Sequence, residues 1–138
     1  MKKVISLILV FEFVFSLSAC GAEEEIKSQY TQKFVEGKCV SGDTLGVDME
    51  LVAAYFEFTN NGGETVLACE AIDVKAFQNG TEIPVMVFTG QEYEGYIQCD
   101  TGVQDGTTAK VVWFFQIKDK SVVSLECSDG QKIEISLD

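Results

Sequence analysis

Apolar and polar residues alternate over short stretches from about Tyr30 onward, and a period of two is typical of β-strands. Residues 50–59 place an apolar side chain at every second position: Val52, Ala54, Phe56 and Phe58. An Asn-Asn-Gly-Gly run at residues 60–63 ends this strand, because Asn and Gly adopt positive φ at little cost. No long segment after Tyr30 keeps a helical apolar period, so we expect a domain built from strands.

A hairpin is predicted around Asn79-Gly80, since this dipeptide is typical of two-residue β-turns. Residues 70–78 alternate apolar and polar positions before it, and residues 81–88 form the returning strand. Pro84 interrupts the returning strand, and a proline has no N–H to donate to a strand ladder. We therefore expect this strand to lie at a sheet edge or to carry a bulge.

Residues 109–117 form the most apolar predicted strand, with Trp113 in the middle of one face. Apolar residues also occupy the opposite face, so we expect a central strand covered on both sides and a Trp113 that belongs to the core. Residues 122–127 and 132–137 form a last pair around a Ser-Asp-Gly turn. About seven short strands predict an all-β, antiparallel two-sheet β-sandwich. A small closed barrel is the alternative.

The chain has 138 residues with 10 basic residues, all lysine, 22 acidic residues and no histidine, and its formal net charge is −12. This acidic balance argues against nucleic-acid binding, which needs a basic face. The absence of histidine removes the most common general base and metal ligand, and the absence of arginine removes the bidentate donor to phosphate. We therefore expect no enzyme activity, no cofactor and no metal, and interpret the chain as a binding or structural module.

The first 19 residues have the features of a secretory signal: two lysines, an apolar run and small residues before Cys20. Residues 4–19 are too few to span a membrane, which takes about 20 residues. The sequence Leu-Ser-Ala-Cys-Gly at the end of the signal resembles the lipobox of bacterial lipoproteins. That resemblance implies a diacylglyceryl group on the Cys20 thiol, cleavage before Cys20, and a location on the extracellular face of the cell membrane.

Three parts of the chain follow from this reading: a lipoprotein signal peptide at residues 1–19, the lipidated cysteine with a polar tether at residues 20–29, and a domain at residues 30–138. Without the signal the chain has 119 residues with 8 lysines and 21 acidic residues, a formal net charge of −13. Anionic headgroups repel such a chain, so we expect the lipid on Cys20 to provide the membrane attachment alone.

Three blocks resemble a family of uncharacterised domains found in Gram-positive surface lipoproteins. They are YFEFTNN at residues 55–61, DVKAFQNG at residues 73–80 and a segment that ends in IKDK at residues 117–120. The similarity covers roughly residues 30–128. The resemblance implies an immunoglobulin-like sandwich and a surface location, and it implies no activity. The chain departs from the family pattern in having four cysteines besides Cys20.

Those four cysteines favour two disulfides, since an even number outside the cytoplasm is typical of bridges. Three pairings are open. We prefer Cys39–Cys127, because the first and last strands of a sandwich commonly lie side by side, and Cys69–Cys99, which would hold down the long loop before the Trp113 strand. Free thiols are the alternative. A Cys₄ zinc site is disfavoured, because the 27 to 29 residues between successive cysteines lack the close pairs typical of zinc ligands.

Tyr93 and Tyr96 are the best candidates for a binding surface, because a tyrosine offers a large contact area with a polar tip. In the alternative, both rings fold back onto the sandwich. Residues 100–106 hold two carboxylates, but we interpret them as a solvated turn rather than a calcium loop, since the EF-hand spacing is missing. Glu92 and Glu94 could pair for acid–base chemistry, yet nothing in the sequence places them in a cleft.

Three functions remain open. We favour a membrane-anchored, non-catalytic binding module that contacts a protein or glycan at the cell surface. The second is a structural or antigenic envelope lipoprotein without a specific ligand. The third is an envelope enzyme or inhibitor that acts on wall material, which only the location and the acidic loops support.

Overall fold

Eleven β-strands and two short helices lie within residues 29–137, the part of the chain that the computed structural model describes. The strands are β1 (Tyr30–Ser41), β2 (Glu50–Asn60), β3 (Val66–Leu67), β4 (Val74–Gln78), β5 (Thr81–Ile83), β6 (Val85–Met86), β7 (Ile97–Gln98), β8 (Gly102–Val103), β9 (Thr107–Gln116), β10 (Val123–Cys127) and β11 (Lys132–Ile135). A 3₁₀-helix covers Gly42–Leu45, and one α-helical turn, α1, covers Ala68–Ala71. No helix within residues 29–137 is long and apolar enough to cross a membrane.

The strands form two main sheets. Sheet I has the order β1-β2-β9-β6, with β7 beside β9, and sheet II has the order β11-β10-β4-β5. The strands pair antiparallel except for β7 and β9, which are parallel. β3 and β8 form a separate two-stranded ribbon. The predicted all-β, immunoglobulin-like antiparallel two-sheet sandwich is confirmed in place of the closed barrel. The signal peptide predicted to precede it lies outside the described residues.

The alternation of apolar residues decides which side of each strand enters the core. Alternation predicts one apolar face for residues 50–59 and one for residues 109–117. All residues of these two faces are buried except Ala109, which is half-buried. The buried residues are Val52, Ala54, Phe56, Phe58, Val111, Trp113, Phe115 and Ile117. Sheet II presents a matching row from β4 and β10: Val74, Ala76, Val123 and Leu125. Trp113 lies in this core as predicted, is 2 % exposed and stacks on Phe115 with ring centroids 6.0 Å apart. Removing these side chains from water is the main driving force for the sandwich.

Pro84 divides the strand predicted for residues 81–88 between the two sheets. β5 pairs with β4 in sheet II, and β6 pairs with β9 in sheet I. Pro84 stands between them, and its carbonyl oxygen accepts a hydrogen bond of 2.9 Å from the Gln116 N–H. The sequence predicted an edge or a bulge here, and the structure shows a crossing from one sheet edge to the other. A residue without an N–H fits this position, because neither ladder needs its donor.

Residues 68–71 form α1 rather than the start of the strand predicted for residues 70–78. Ala68 and Ile72 are both buried, and this spacing alone fits one face of a strand as well as one face of a helix. The Ile72 N–H closes the turn on the Ala68 carbonyl at 3.0 Å. β4 therefore begins only at Val74, and Cys69 lies in α1.

The first and last strands lie side by side at the other edge of the sandwich, although they belong to different sheets. Gln131 Nε2 donates a hydrogen bond of 2.6 Å to the Gln32 carbonyl. Ile135 packs directly on the backbone of Gly37, where a Cβ would stand 2.8 Å from Ile135 Cγ1. That separation is shorter than carbon atoms in contact normally allow. The missing side chain of Gly37 therefore permits β11 to approach β1.

Candidate functional site

The outer face of sheet I, opposite the central core, is apolar and covered. Its residues on β2 and β9 are at most 1 % exposed: Leu51, Ala53, Tyr55, Val112 and Phe114. Residues 86–96, here called the covering segment, lie over this face. They pack four side chains against it: Met86, Phe88, Tyr93 and Tyr96. β9 is therefore buried on both faces, as its sequence predicts.

Residues 93–96, here called the tyrosine hairpin, form a tight turn within the covering segment. The Tyr93 N–H donates to the Tyr96 carbonyl and the Tyr96 N–H to the Tyr93 carbonyl, both at 2.9 Å. Glu94 and Gly95, between them, have φ of 53° and 85°. Two central residues with positive φ are typical of a type I′ turn, which matches the twist of paired strands. The backbone of the hairpin thus holds both tyrosines at fixed positions.

Both tyrosine rings pack edge-on against the sheet. The Tyr93 ring lies 5.2 Å from the Phe114 ring, and the Tyr96 ring lies 4.7 Å from the Tyr55 ring, centroid to centroid. Both tyrosines stay half-buried rather than fully enclosed. The structure therefore places the two predicted binding residues together, with part of each side chain in the outer face of sheet I and part at the surface.

A polar network surrounds the hairpin. The Tyr55 hydroxyl donates a hydrogen bond of 2.9 Å to Glu94 Oε1, and Lys38 Nζ lies 3.1 Å from the same oxygen. Lys38, and to a smaller degree Tyr55, hold the pKa of Glu94 below its usual range. Burial raises the pKa of Tyr55, so its hydroxyl keeps the proton that it donates. Glu94 is thus held in an ion pair with Lys38. Glu92, the other carboxylate considered for acid–base chemistry, is exposed.

Two lysines flank the aromatic rings. Lys38 Nζ lies 5.4 Å from the centroid of the Tyr55 ring, and Lys110 Nζ lies 5.8 Å from the centroid of the Tyr96 ring. Both distances fall within the range of cation–π attraction. Sequence reasoning did not find Lys38, Tyr55 and Lys110. The only signal was Tyr55, a tyrosine at an outward position of an otherwise apolar strand.

The base of the covering segment is held by two residues on either side of Cys99. The Phe88 N–H donates to Gln98 Oε1 at 3.2 Å, and Thr89 Oγ1 donates to Asp100 Oδ2 at 2.6 Å. Gln98 belongs to β7, which pairs with the central strand β9. These hydrogen bonds therefore tie the first part of the covering segment to residues 98–100, which follow its other end in the sequence.

Cys69 and Cys99 are neighbours. The Cys69 N–H donates to the Cys99 carbonyl at 3.0 Å, and each thiol shifts the pKa of the other. Cys99 is 2 % exposed, and burial raises the pKa of its thiol to about 12. Burial also raises the pKa of Cys69, which is half-buried. The structure therefore brings together one of the two cysteine pairs that the sequence favours.

Cys39 and Cys127 have different neighbours. Cys39 Sγ lies 3.0 Å from Lys120 Nζ and 3.8 Å from Glu50 Oε1. The Cys127 N–H donates to the Gln131 carbonyl, and Gln131 contacts Gln32, which lies seven residues from Cys39 along β1. Seven residues of strand span about 20 Å, whereas bridged cysteines have Cα atoms within about 7 Å. The structure does not bring these two residues together, because β11 rather than β10 lies beside β1. The structure shows no disulfide bond between the four cysteines of residues 29–137.

The acidic loop at residues 100–106 uses its carboxylates for internal hydrogen bonds. Asp100 accepts from Thr89, and Asp105 Oδ1 accepts from the Gly63 N–H at 3.0 Å. Within the described part of the chain, no three Cys, Asp or Glu side chains cluster as a metal site would require. Cys20, the predicted lipidation site, lies outside the described residues, as do the signal peptide and the tether up to residue 28.

No curated protein matches the chain. Among solved structures, a protein of Staphylococcus aureus subsp. aureus NCTC 8325, described as a "putative lipoprotein", is similar to this chain with a TM-score of 0.58. The two are 10 % identical, and the match covers 78 % of this chain and 83 % of that one, so the likeness is one of fold. A family described as "Domain of unknown function (DUF5067)" matches residues 22–129. Because this match spans most of the sequence, the chain belongs to the DUF5067 family.

Proposed function

We propose that this chain is a membrane-anchored, extracytoplasmic lipoprotein whose immunoglobulin-like domain is a non-catalytic binding module. The tyrosine hairpin is its contact surface, and its partner is a protein or a glycan at the cell surface. The observation that carries the proposal is the hairpin itself: two half-buried tyrosines held in a fixed turn beside Lys38 and Lys110. Tyrosines are enriched at binding sites because they combine contact area, a polar tip and few rotatable bonds.

The anchor in this proposal is a lipid on Cys20. Residues 1–19 are the signal peptide, residues 20–29 the tether, and residues 30–138 the domain. The start of β1 at Tyr30 supports this division, because only nine residues separate Cys20 from Tyr30. A nine-residue segment reaches at most about 30 Å. The fold likeness to a protein described as a lipoprotein is consistent with the same location.

The position of the hairpin suits contact away from the membrane. Lys38, which joins the hairpin through Glu94, lies eight residues along β1 from Tyr30. Eight residues of strand correspond to about 25 Å. The side of the hairpin that meets Lys38 therefore lies away from the end of the sandwich that the tether joins, whereas Lys110, beside Tyr96, is level with Lys33 on β1.

The charges around the hairpin indicate what a partner would meet. Glu94 neutralises Lys38, whereas Lys110 has no ion-pair partner among residues 29–137. A lysine beside an aromatic ring favours polar or anionic groups, such as sugar hydroxyls or carboxylates. The hairpin is thus an aromatic surface flanked by Lys38 and Lys110 and by the carboxylates of Glu92 and Glu94.

A second candidate function is that of a structural or antigenic envelope lipoprotein without a specific ligand. The packing of Tyr93 on Phe114 and of Tyr96 on Tyr55 favours it, because these contacts also serve simply to cover the outer face of sheet I. In that case the hairpin stabilises the domain and contacts no partner.

Membrane attachment is tested by Cys20→Ala, with Cys39→Ala as the matched control. Cells that produce each variant are extracted with a detergent that separates into two phases. We expect Cys20→Ala to leave the detergent phase and Cys39→Ala to remain in it. Retention of Cys20→Ala in the detergent phase would exclude the lipid anchor.

The contact surface is tested by a photo-cross-linking amino acid at residue 92, with residue 126 as the control on sheet II. Glu92 and Glu126 are both exposed, so neither replacement disturbs the core. Cross-linking on intact cells, followed by mass spectrometry, should give a specific product from residue 92 alone. Equal products from both positions, or none from either, would overturn the hairpin as a binding surface and favour the second candidate.

A further inference from the structure

Cys69 and Cys99 lie on two parts of the fold that are distant in sequence and adjacent in space. Cys69 lies in α1, and Cys99 directly follows β7. The hydrogen bond of 3.0 Å from the Cys69 N–H to the Cys99 carbonyl holds the two backbones side by side. A disulfide requires Cα atoms within about 7 Å, and backbones joined by a direct hydrogen bond meet this requirement.

Cys99 also belongs to the base of the covering segment. Its two chain neighbours, Gln98 and Asp100, accept the hydrogen bonds from Phe88 and Thr89 that close the segment. A constraint on Cys99 therefore acts on the residues that position the tyrosine hairpin. The two-residue strand β7 is by itself a weak anchor, since few backbone hydrogen bonds hold it to β9.

We propose that Cys69 and Cys99 are oxidised to a disulfide that clamps the base of the tyrosine hairpin. The oxidant is a small or protein disulfide, such as glutathione disulfide or an extracytoplasmic thiol oxidoreductase. The Cys69 thiolate, the more accessible of the two, attacks one sulfur of the oxidant and releases the first thiol. The Cys99 thiolate then attacks the Cys69 sulfur and releases the second thiol. Two protein thiols lose two electrons and two protons, and the oxidant becomes two thiols.

The other two cysteines are not partners in this bond. Cys39 contacts Lys120 and Glu50, and Cys127 lies at the end of β10 beside the carboxylates of Asp73 and Asp129. They therefore stay free and act as internal controls for accessibility and for nonspecific oxidation. The proposal depends on the proposed function only for the oxidising location outside the membrane.

The bond is tested first by peptide mapping of the full-length protein, isolated without reductant from the producing cells after free thiols are blocked with iodoacetamide. Trypsin together with a glutamyl endopeptidase places the four cysteines on separate peptides, namely residues 39–50, 65–70, 95–110 and 127–132. We expect peptides 65–70 and 95–110 to be joined, with a mass two hydrogens below their sum. The other two peptides should be alkylated. Alkylation of all four cysteines, or a link to Cys39 or Cys127, would overturn the proposal.

The clamp is tested by hydrogen exchange over residues 88–98 in Cys69→Ser/Cys99→Ser, with Cys39→Ser/Cys127→Ser as the matched control. Loss of a bridge that closes a 31-residue loop should lower the Tm by about 10 °C, and we expect exchange of the hairpin amides to rise about tenfold. Hydrogen exchange is also measured on the wild-type protein in its oxidised and reduced states, which compares the domain with and without the bond and needs no substitution. Equal exchange in both wild-type states would refute the clamp. If the Cys69–Cys99 bond is present but residue 92 gives no cross-linked product, the proposed binding function is refuted and the disulfide proposal is not.

Discussion

Gly37 tests whether the first and last strands depend on each other for close packing. The Ile135 side chain occupies the space of a Cβ at residue 37, with Cγ1 at 2.8 Å and Cγ2 at 3.0 Å from the ideal Cβ position. Ile135 is 4 % exposed, so it cannot swing into solvent without leaving the core. Gly37→Ala therefore forces either Ile135 or the β11 backbone to move.

The expected cost combines two opposing effects. Overpacking a buried contact costs about 1–3 kcal/mol. Replacing glycine by alanine in a strand stabilises the folded state by about 0.5–1 kcal/mol, because glycine loses more backbone freedom on folding. We therefore expect Gly37→Ala to lower the free energy of unfolding by about 1–2 kcal/mol. For a domain of this size, that corresponds to a fall in Tm of about 4–8 °C.

A double-mutant cycle with Ile135→Ala isolates the contact. Ile135→Ala alone should cost about 3 kcal/mol, since it leaves a cavity in the core. It also removes the atoms that a Cβ at residue 37 would meet, so adding Gly37→Ala to it should cost less than about 0.5 kcal/mol. The resulting coupling energy of about 1–2 kcal/mol is well above the additivity expected of independent sites.

Urea unfolding followed by the fluorescence of Trp113 measures each variant, because this residue is the sole tryptophan of the chain and is buried. Gly102→Ala is the control, since its Cβ would meet only Thr65 Cγ2 at 3.2 Å, and we expect a change within about 0.5 kcal/mol. An equal cost of Gly37→Ala with and without Ile135 would show that the contact does not limit the approach of β11 to β1.

Two further substitutions test buried and exposed polar groups. Asn60 is fully buried, and its amide donates to the Glu64 and Val103 carbonyls at 2.7 and 2.8 Å and accepts from the Gly62 N–H at 2.8 Å. Asn60→Ala should lower the free energy of unfolding by about 3 kcal/mol in urea titrations, because it leaves these groups without partners; a loss below about 1 kcal/mol would contradict this reasoning. Glu94→Gln should cost less than about 1 kcal/mol at pH 7, since the Lys38 ion pair is half exposed. Because the pKa of Glu94 is lowered in the folded state, its contribution is complete above pH 4.5 and is lost as the pH falls through the folded value. The stability difference between wild type and Glu94→Gln should therefore shrink as the pH falls below 4.5 and vanish once Glu94 is protonated in the folded state, and a difference that persists there would exclude the ion pair as its cause.

Much of the sandwich could be predicted because strand periodicity is local. The inward residues of β2 and β9 follow from alternation alone, since successive side chains of a strand point to opposite faces. Pro84 was correctly marked as an exception to strand pairing, because the missing N–H is a property of the residue. The two strands that flank Pro84 pair with strands of different sheets. The local sequence pattern does not specify these partners, because they are distant in sequence.

The candidate site was predictable only in part. Tyr93 and Tyr96 could be selected from their residue type and position, but the hairpin that they form was not predicted from the sequence. Their contacts with Tyr55 and Lys110 join residues far apart in sequence, so only the folded chain shows them. The same limit applies to α1, where the Ile72 N–H closes a helical turn on the Ala68 carbonyl although the local pattern predicts a strand.

The sequence by itself determined the all-β class, the faces of the long strands, and the acidic, histidine-free composition that favours a binding or structural role. Each of these depends on residue type or on spacing within one strand. Tertiary structure decided which cysteines meet, because the partner of Cys69 depends on where α1 and β7 come to lie. It also decided how the tyrosines lie, because the outer face of sheet I is apolar and must be covered, and the covering segment is the part of the chain that packs on it.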